Sequence, residues 1–186
     1  MHFCTFVVIG RLGDVDKLVS KALAPFSENL KVPPRRSYLE KHQITLMAEH
    51  YNLEKHDLHV LAKHMEEWSG NPGGVDRKGL YETTTWNPDG RWDWYEIGGR
   101  WSGYIKDAER NVINVRALLS SEHLKDHLPC YVVTPAGVWL ERERFFPDGF
   151  LSGQIERKAD DQWLQEIRRA LERCANCRAV CVDIHN

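Results

Sequence analysis

Seven residues near the start of the chain, Phe3-Cys4-Thr5-Phe6-Val7-Val8-Ile9, constrain the fold most. They are β-branched or aromatic almost throughout, apolar at both alternating positions, and stopped by Gly10. A strand that carries apolar side chains on both faces must be covered on both, so it belongs in the middle of a sheet. The segment 179 to 185 reads as a second strand, with Val180, Val182 and Ile184 on one face and Cys181, Asp183 and His185 on the other.

The elements between these strands point to a single α+β domain over residues 1 to 186. Val15, Leu18, Val19 and Leu23 recur at helical spacing. Pro25 and Pro33-Pro34 mark a loop. Ser37 with Glu40 forms a capping-box pattern that opens a helix to about Tyr51, and a second helix runs from about Lys55 to Trp68. This helical pair, about residues 37 to 69, reads as an insertion between sheet elements.

Strands resume near residue 80. Asn87-Pro88-Asp89-Gly90 is a type I turn signature with Gly in the left-handed position, and Gly98-Gly99 is a two-residue hairpin signal. Together they predict an antiparallel meander over 80 to 106. A helix is expected over 115 to 127, a hairpin over 130 to 144 around Pro135-Ala136-Gly137, and a last helix from about Asp160 with Trp163, Leu164, Ile167 and Leu171 on one stripe.

Charge and cysteine usage exclude several classes of function. With 25 Lys and Arg against 27 Asp and Glu, the net charge of −2 creates no field that favours nucleic acid. The apolar start is too short to span a bilayer and lacks a basic leading region, so a cytoplasmic protein without a membrane partner is expected. Five cysteines are an odd number in a chain of ordinary size and read as reduced thiols rather than a disulfide framework. Nothing implies a cofactor, and homo-oligomerisation is left open.

Counting outward from the two turns pairs Glu96 with Trp101, Trp94 with Gly103, and Trp92 with both Ile105 and Trp86. One face of the meander then holds Trp86, Trp92, Trp94, Trp101 and Ile105, while Asp93, Tyr95, Ile97, Arg100, Ser102 and Tyr104 share the other. Either the Trp face is core and the second face is solvated, or the second face and the adjoining sheet end bind a planar charged ligand. Aromatic faces stack bases, Arg forks to phosphate and carboxylates hold hydroxyls. The ligand-binding set is therefore Asp93, Tyr95, Glu96, Gly98, Gly99, Arg100, Trp101 and Tyr104, with the Gly-Gly turn offering backbone N–H groups to an anion.

The string Trp86-Asn87-Pro88-Asp89-Gly90-Arg91-Trp92-Asp93-Trp94-Tyr95-Glu96-Ile97-Gly98-Gly99-Arg100-Trp101-Ser102-Gly103 resembles a family of uncharacterised proteins common in tailed-phage and prophage genomes. That family shows a Trp-Asp-Trp-Tyr-x-Ile-Gly-Gly-Arg-Trp core and ends in Val-Asp-x-His, similar to Val182-Asp183-Ile184-His185 here. Many relatives carry a Cys-x-x-Cys knuckle before the aromatic segment, where this chain, over residues 69 to 78, has no cysteine. The resemblance implies an accessory or counter-defence role and transfers no activity.

Other constellations are weaker. Asp183 and His185 suit acid–base work if the protein is an enzyme, because a carboxylate fixes the tautomer of a neighbouring imidazole. Cys174, Cys177, Cys181 and His185 have roughly metal-like spacing, but the first pair falls at a helix end rather than on a turn, so no metal site is expected. His123 and His127 lack the Glu of the zinc-peptidase motif, and Gly10-Arg11-Leu12-Gly13 lacks the Lys-Ser/Thr ending of a phosphate loop. Three functions remain: a binder that sequesters a small nucleotide-like host signal, a hydrolase that cleaves such a nucleotide, and a proteinaceous inhibitor of a host enzyme.

Overall fold

The computed structural model describes residues 1–105, 109–120, 122–145 and 155–186. In chain order the elements are β1 (His2–Ile9), α1 (Val15–Leu23), β2 (Arg35–Tyr38), α2 (Lys41–Tyr51), α3 (Leu58–Lys63), α4 (Met65–Ser69), β3 (Gly73–Asp76), β4 (Gly79–Thr84) and β5 (Trp94–Ile97). There follow β6 (Val112–Asn114), α5 (Val115–Ser120), α6 (His123–Asp126), β7 (Tyr131–Val133), β8 (Trp139–Glu141), β9 (Glu143–Phe145), β10 (Ile155–Arg157), α7 (Asp160–Glu172) and β11 (Arg178–His185). The fold is α+β. The described residues divide into two compact units, one within 1–30, 87–145 and 155–186 and the other over 31–86.

The first unit is built on a sheet of order β5-β11-β1-β7-β8, with β6 pairing β11 beyond β5. The two terminal strands lie at its centre: β1 runs antiparallel to β11 along its whole length, from His2 opposite His185 to Ile9 opposite Arg178. The sheet is mixed, because β1 pairs β7 in parallel. Both faces are covered, as the apolar character of β1 demands. Cys4, Phe6 and Val8 meet Trp163, Ile167 and Leu171 of α7 and Val115 and Leu118 of α5. On the other face Val7, Ile9, Val180, Val182 and Ile184 meet Val19 and Leu23 of α1 and Phe26. The hairpin expected over 130 to 144 is present as β7 and β8, and α7 buries the expected stripe apart from the half-buried Leu164.

The second unit is larger than a helical pair. Its helices α2, α3 and α4 share a core of Met47, Ala48, Leu61, Met65 and Leu80 with an antiparallel sheet of order β2-β4-β3. The capping box forms three residues later than expected: Ser37 belongs to β2, and Glu40 precedes α2, its N–H donating to Oε1 of Gln43 at 2.8 Å. The second helix breaks at His64 into α3 and α4.

The meander over 80 to 106 does not form. Its first strand, β4, belongs to the second unit, and its second, β5, pairs β11 instead of turning back on itself. Two local preferences redirect the chain. Asn87 is buried and donates to the carbonyls of Pro25 and Ser27, while Trp92 donates its indole N–H to Leu23 at 2.9 Å, so residues 87 to 92 are spent on the loop after α1. After β5, Gly98 turns at φ 75° into a 3-10 turn, Gly99–Trp101, rather than a hairpin. Gly103 accordingly has nothing within 4 Å of where a Cβ would stand, so Trp94 is not opposite it. Nor does Gly90 adopt the left-handed conformation; a Cβ there would meet Glu28 and the Asn87 carbonyl. Lys106 and Ser121, through which two expected elements run, lie outside the described residues. Among the described residues no helix is long and apolar enough to cross a membrane.

Candidate functional site

The expected ligand-binding residues divide between the two faces of the main sheet. Strand alternation places Trp94 and Glu96 on the face of Cys4 and Cys181, and Tyr95 on the opposite one, where its ring stands edge-on to Trp92 at 5.1 Å. Tyr104 turns toward Leu128, donating its hydroxyl to that carbonyl at 3.3 Å, and burial pushes its phenol up to about 12. Trp101 packs, half-buried, beside it. Tyr95, Trp101 and Tyr104 thus serve packing and do not line a common surface with Asp93 and Arg100.

Four N–H groups of the turn after β5 are engaged within the protein. The N–H of Gly98 donates to Cys181, that of Arg100 to Oδ2 of Asp183, that of Trp101 to Gly98 and that of Ser102 to Gly99. Close approach explains the glycine pair. A Cβ on Gly98 would stand 2.2 Å from Nδ2 of Asn111, and one on Gly99 would stand 2.5 Å from Cβ of Asp183.

What the structure does bring together is a row of side chains across the end of β5, β11 and β1. Trp94 opposes His185, which opposes His2, so all three project from one face. Each imidazole is held through Nδ1 by a different carboxylate. Asp183, buried at 1% exposure, reaches His2 with Oδ1 at 3.0 Å while Oδ2 accepts from Arg100. Asp93 holds His185 at 2.8 Å. The imidazoles meet edge to face with centroids 5.2 Å apart, and Trp94 stands 5.9 Å from His2. Trp94 is 46% exposed, Glu96 and Arg100 are exposed, and His2 and His185 are partly so. With Nδ1 engaged, Nε2 is the working nitrogen of each ring.

Asp183 and His185, expected as one pair, therefore belong to two. Their residue spacing put both on one face, but the hydrogen bonds are made across strands. His2 was missed because its role depends on the register of β1 against β11, which sets residue 2 beside residue 185. The signal was present in two terminal strands that each end in His, at positions 2 and 185.

The hydrogen bond from His185 holds the Asp93 carboxyl below the ordinary aspartate range, against the opposing effect of partial burial. A carboxylate with a lowered folded-state pKa stabilises the fold above the unfolded value, and that contribution is lost as pH falls through the folded one. The 13C titration of Asp93 should therefore have its midpoint below about 3.9, and His185→Gln should move it upward. An unmoved midpoint would mean that the pair does not form in solution.

The cysteines do other work. Sγ of Cys181 lies 3.8 Å from Sγ of Cys4, both buried, and that contact together with desolvation pushes the Cys4 thiol far up. Cys181 is thereby committed within the sheet and not to Cys174 and Cys177. Among the described residues no group of three or more His, Cys, Asp or Glu side chains is gathered as for a metal ion. His127 lies against Tyr104 at 4.9 Å, and the side chain of His123 is outside the described set.

Comparison with protein-family models, curated proteins and solved structures finds no match to the chain.

Proposed function

We propose that the protein binds a small nucleotide-like ligand at the Trp94, His185 and His2 row and transfers protons on it, as a hydrolase. The observation that carries this reading is the pair of adjacent imidazoles, each oriented by its own carboxylate. One imidazole removes a proton from the attacking group while the other supplies one to the leaving group, and each has an anion to steady its charged form. The exposed indole of Trp94 offers a stacking surface for a base, and Arg100 has no ion-pair partner among the described residues. In a phage-infected cell such a protein would remove a host immune signal.

Incubation with cyclic and ADP-ribose-derived nucleotides, followed by denaturation and recovery of the ligand, tests the reading. Altered ligand is expected. Intact ligand that nonetheless gave heat on titration would support sequestration, for which the exposed Trp94 and Arg100 suffice without chemistry. No heat and no change with any nucleotide would end both.

Arg100→Ala should weaken nucleotide binding at least tenfold in calorimetry, since charge-assisted hydrogen bonds contribute roughly 1.5–3 kcal/mol. The melting temperature should hardly move, because the contact of Arg100 with Asp183 is made by the backbone N–H. Lys at this position should rescue poorly, for an ammonium lacks the planar fork. Unaltered affinity in Arg100→Ala would remove the residue from the site.

A further inference from the structure

We infer that the bond broken at this site is a phosphodiester, and that the substrate is a monoanionic diester rather than a phosphomonoester or a carboxylic ester. The inference rests on the acid–base reading above and narrows it to one substrate class.

Charge argues first. A pair of imidazoles acts as base and acid when one is neutral and one is charged; together with Asp93 and Asp183 the four groups then sum to −1. Exposed Glu96, opposite Asp183 in the strand register, adds a further negative charge on the same face. A site with this sum repels the dianion of a terminal phosphate twice as strongly as the monoanion of a diester.

Transition-state charge argues second. Attack on a carboxylic ester creates an oxyanion where none stood, and enzymes meet it with preorganised N–H donors. Here the N–H groups of Gly98, Arg100, Trp101 and Ser102 are spent on Cys181, Asp183, Gly98 and Gly99. A phosphodiester already carries its negative charge in the ground state and places a smaller demand on such donors. Its leaving alkoxide, however, demands a proton, which the second imidazole provides.

In the step itself, Nε2 of the neutral imidazole takes a proton from water as the water oxygen forms a bond to phosphorus. The opposite P–O bond breaks with its electron pair on the departing oxygen, which takes the proton from Nε2 of the other imidazole. No electrons are gained or lost, and proton exchange with solvent restores the pair. Ring centroids 5.2 Å apart set the two imidazoles side by side in the row. Trp94, next in the row, is placed to stack on a base attached to the diester.

The test compares four probes with the full chain: thymidylyl-thymidine, thymidine 5′-(4-nitrophenyl phosphate), 4-nitrophenyl phosphate and 4-nitrophenyl acetate. Both diesters should be cleaved, and His2→Gln and His185→Gln should each slow the dinucleotide at least a hundredfold. Nitrophenolate leaves without a proton, so the variant that lacks the acid should lose less than tenfold on the nitrophenyl diester while the other loses a hundredfold. Melting curves accompany each variant; if His2→Gln does not fold, the more exposed His185 decides alone. Cleavage of the monoester or the acetate with the diesters intact would overturn the phosphodiester inference and leave the acid–base reading standing. Four intact probes would overturn both, as would diester cleavage unaffected in the folded variants.

Discussion

Asp183→Asn is expected to slow cleavage of thymidylyl-thymidine at least a hundredfold while the chain remains folded. The carboxylate of Asp183 only accepts hydrogen bonds, and it accepts two: from the His2 ring at 3.0 Å and from the Arg100 N–H at 3.1 Å. That arrangement fixes His2 with its proton on Nδ1 and leaves Nε2 for chemistry. An amide has one acceptor oxygen. If it stays on the Arg100 N–H, the NH2 group faces Nδ1, so a neutral His2 ring carries its proton on Nε2 and accepts none there, and a charged ring loses the anion that steadies it. If the amide turns over, two N–H donors confront each other at Arg100. General acid–base catalysis contributes typically 10²–10⁴-fold, and a wrong tautomer forfeits that contribution. Stability should change little, because the loss of a charge-assisted hydrogen bond is offset by relief of a carboxylate that is almost wholly buried. Nitrogen-15 spectra of His2 supply an independent readout, with the tautomer expected to switch. A switched tautomer with wild-type turnover would exclude His2 from the chemistry.

Trp163→Ala is expected to cost the most stability of any single truncation in the main unit, roughly 3–5 kcal/mol. The indole is fully buried among residues of β1, β11, α5 and α7. Its N–H donates to the Pro129 carbonyl at 2.7 Å, and the Lys158 ammonium sits 5.1 Å over the ring. Truncation leaves a cavity beneath α7 and removes the hydrogen bond to a buried carbonyl, so both penalties act in the same direction. At about 2–4 °C per kcal/mol for a chain of this size, the melting temperature should fall by about 6–20 °C. Urea unfolding with an unshifted midpoint would mean that α7 is not docked on the sheet as described.

These two residues also mark how far the sequence could be read. Trp163 was legible as core because the helical stripe it shares with Ile167 and Leu171 is a local pattern, set by 3.6-residue periodicity. The same holds for β1, whose apolar faces required burial on both sides, and for the 130 to 144 hairpin, whose turn residues lie between the paired strands. Asp183 was legible only as a carboxylate on the same face as His185.

The amino-acid sequence by itself determined which segments are strands and helices near the termini and that the fold is α+β. Tertiary structure decided the partners. Glycine-rich turns specify that the chain bends but not what it bends against. Gly98-Gly99 therefore reads as a hairpin until Asp183 and Asn111 occupy the space around it. Strand neighbours separated by most of the chain are chosen by which apolar faces must be covered together, and β5 lies beside β11 rather than beside the residues that follow it. That long-range register set His2 beside His185 and gave each its own carboxylate, because hydrogen bonds between side chains follow distance in space and not spacing along the chain.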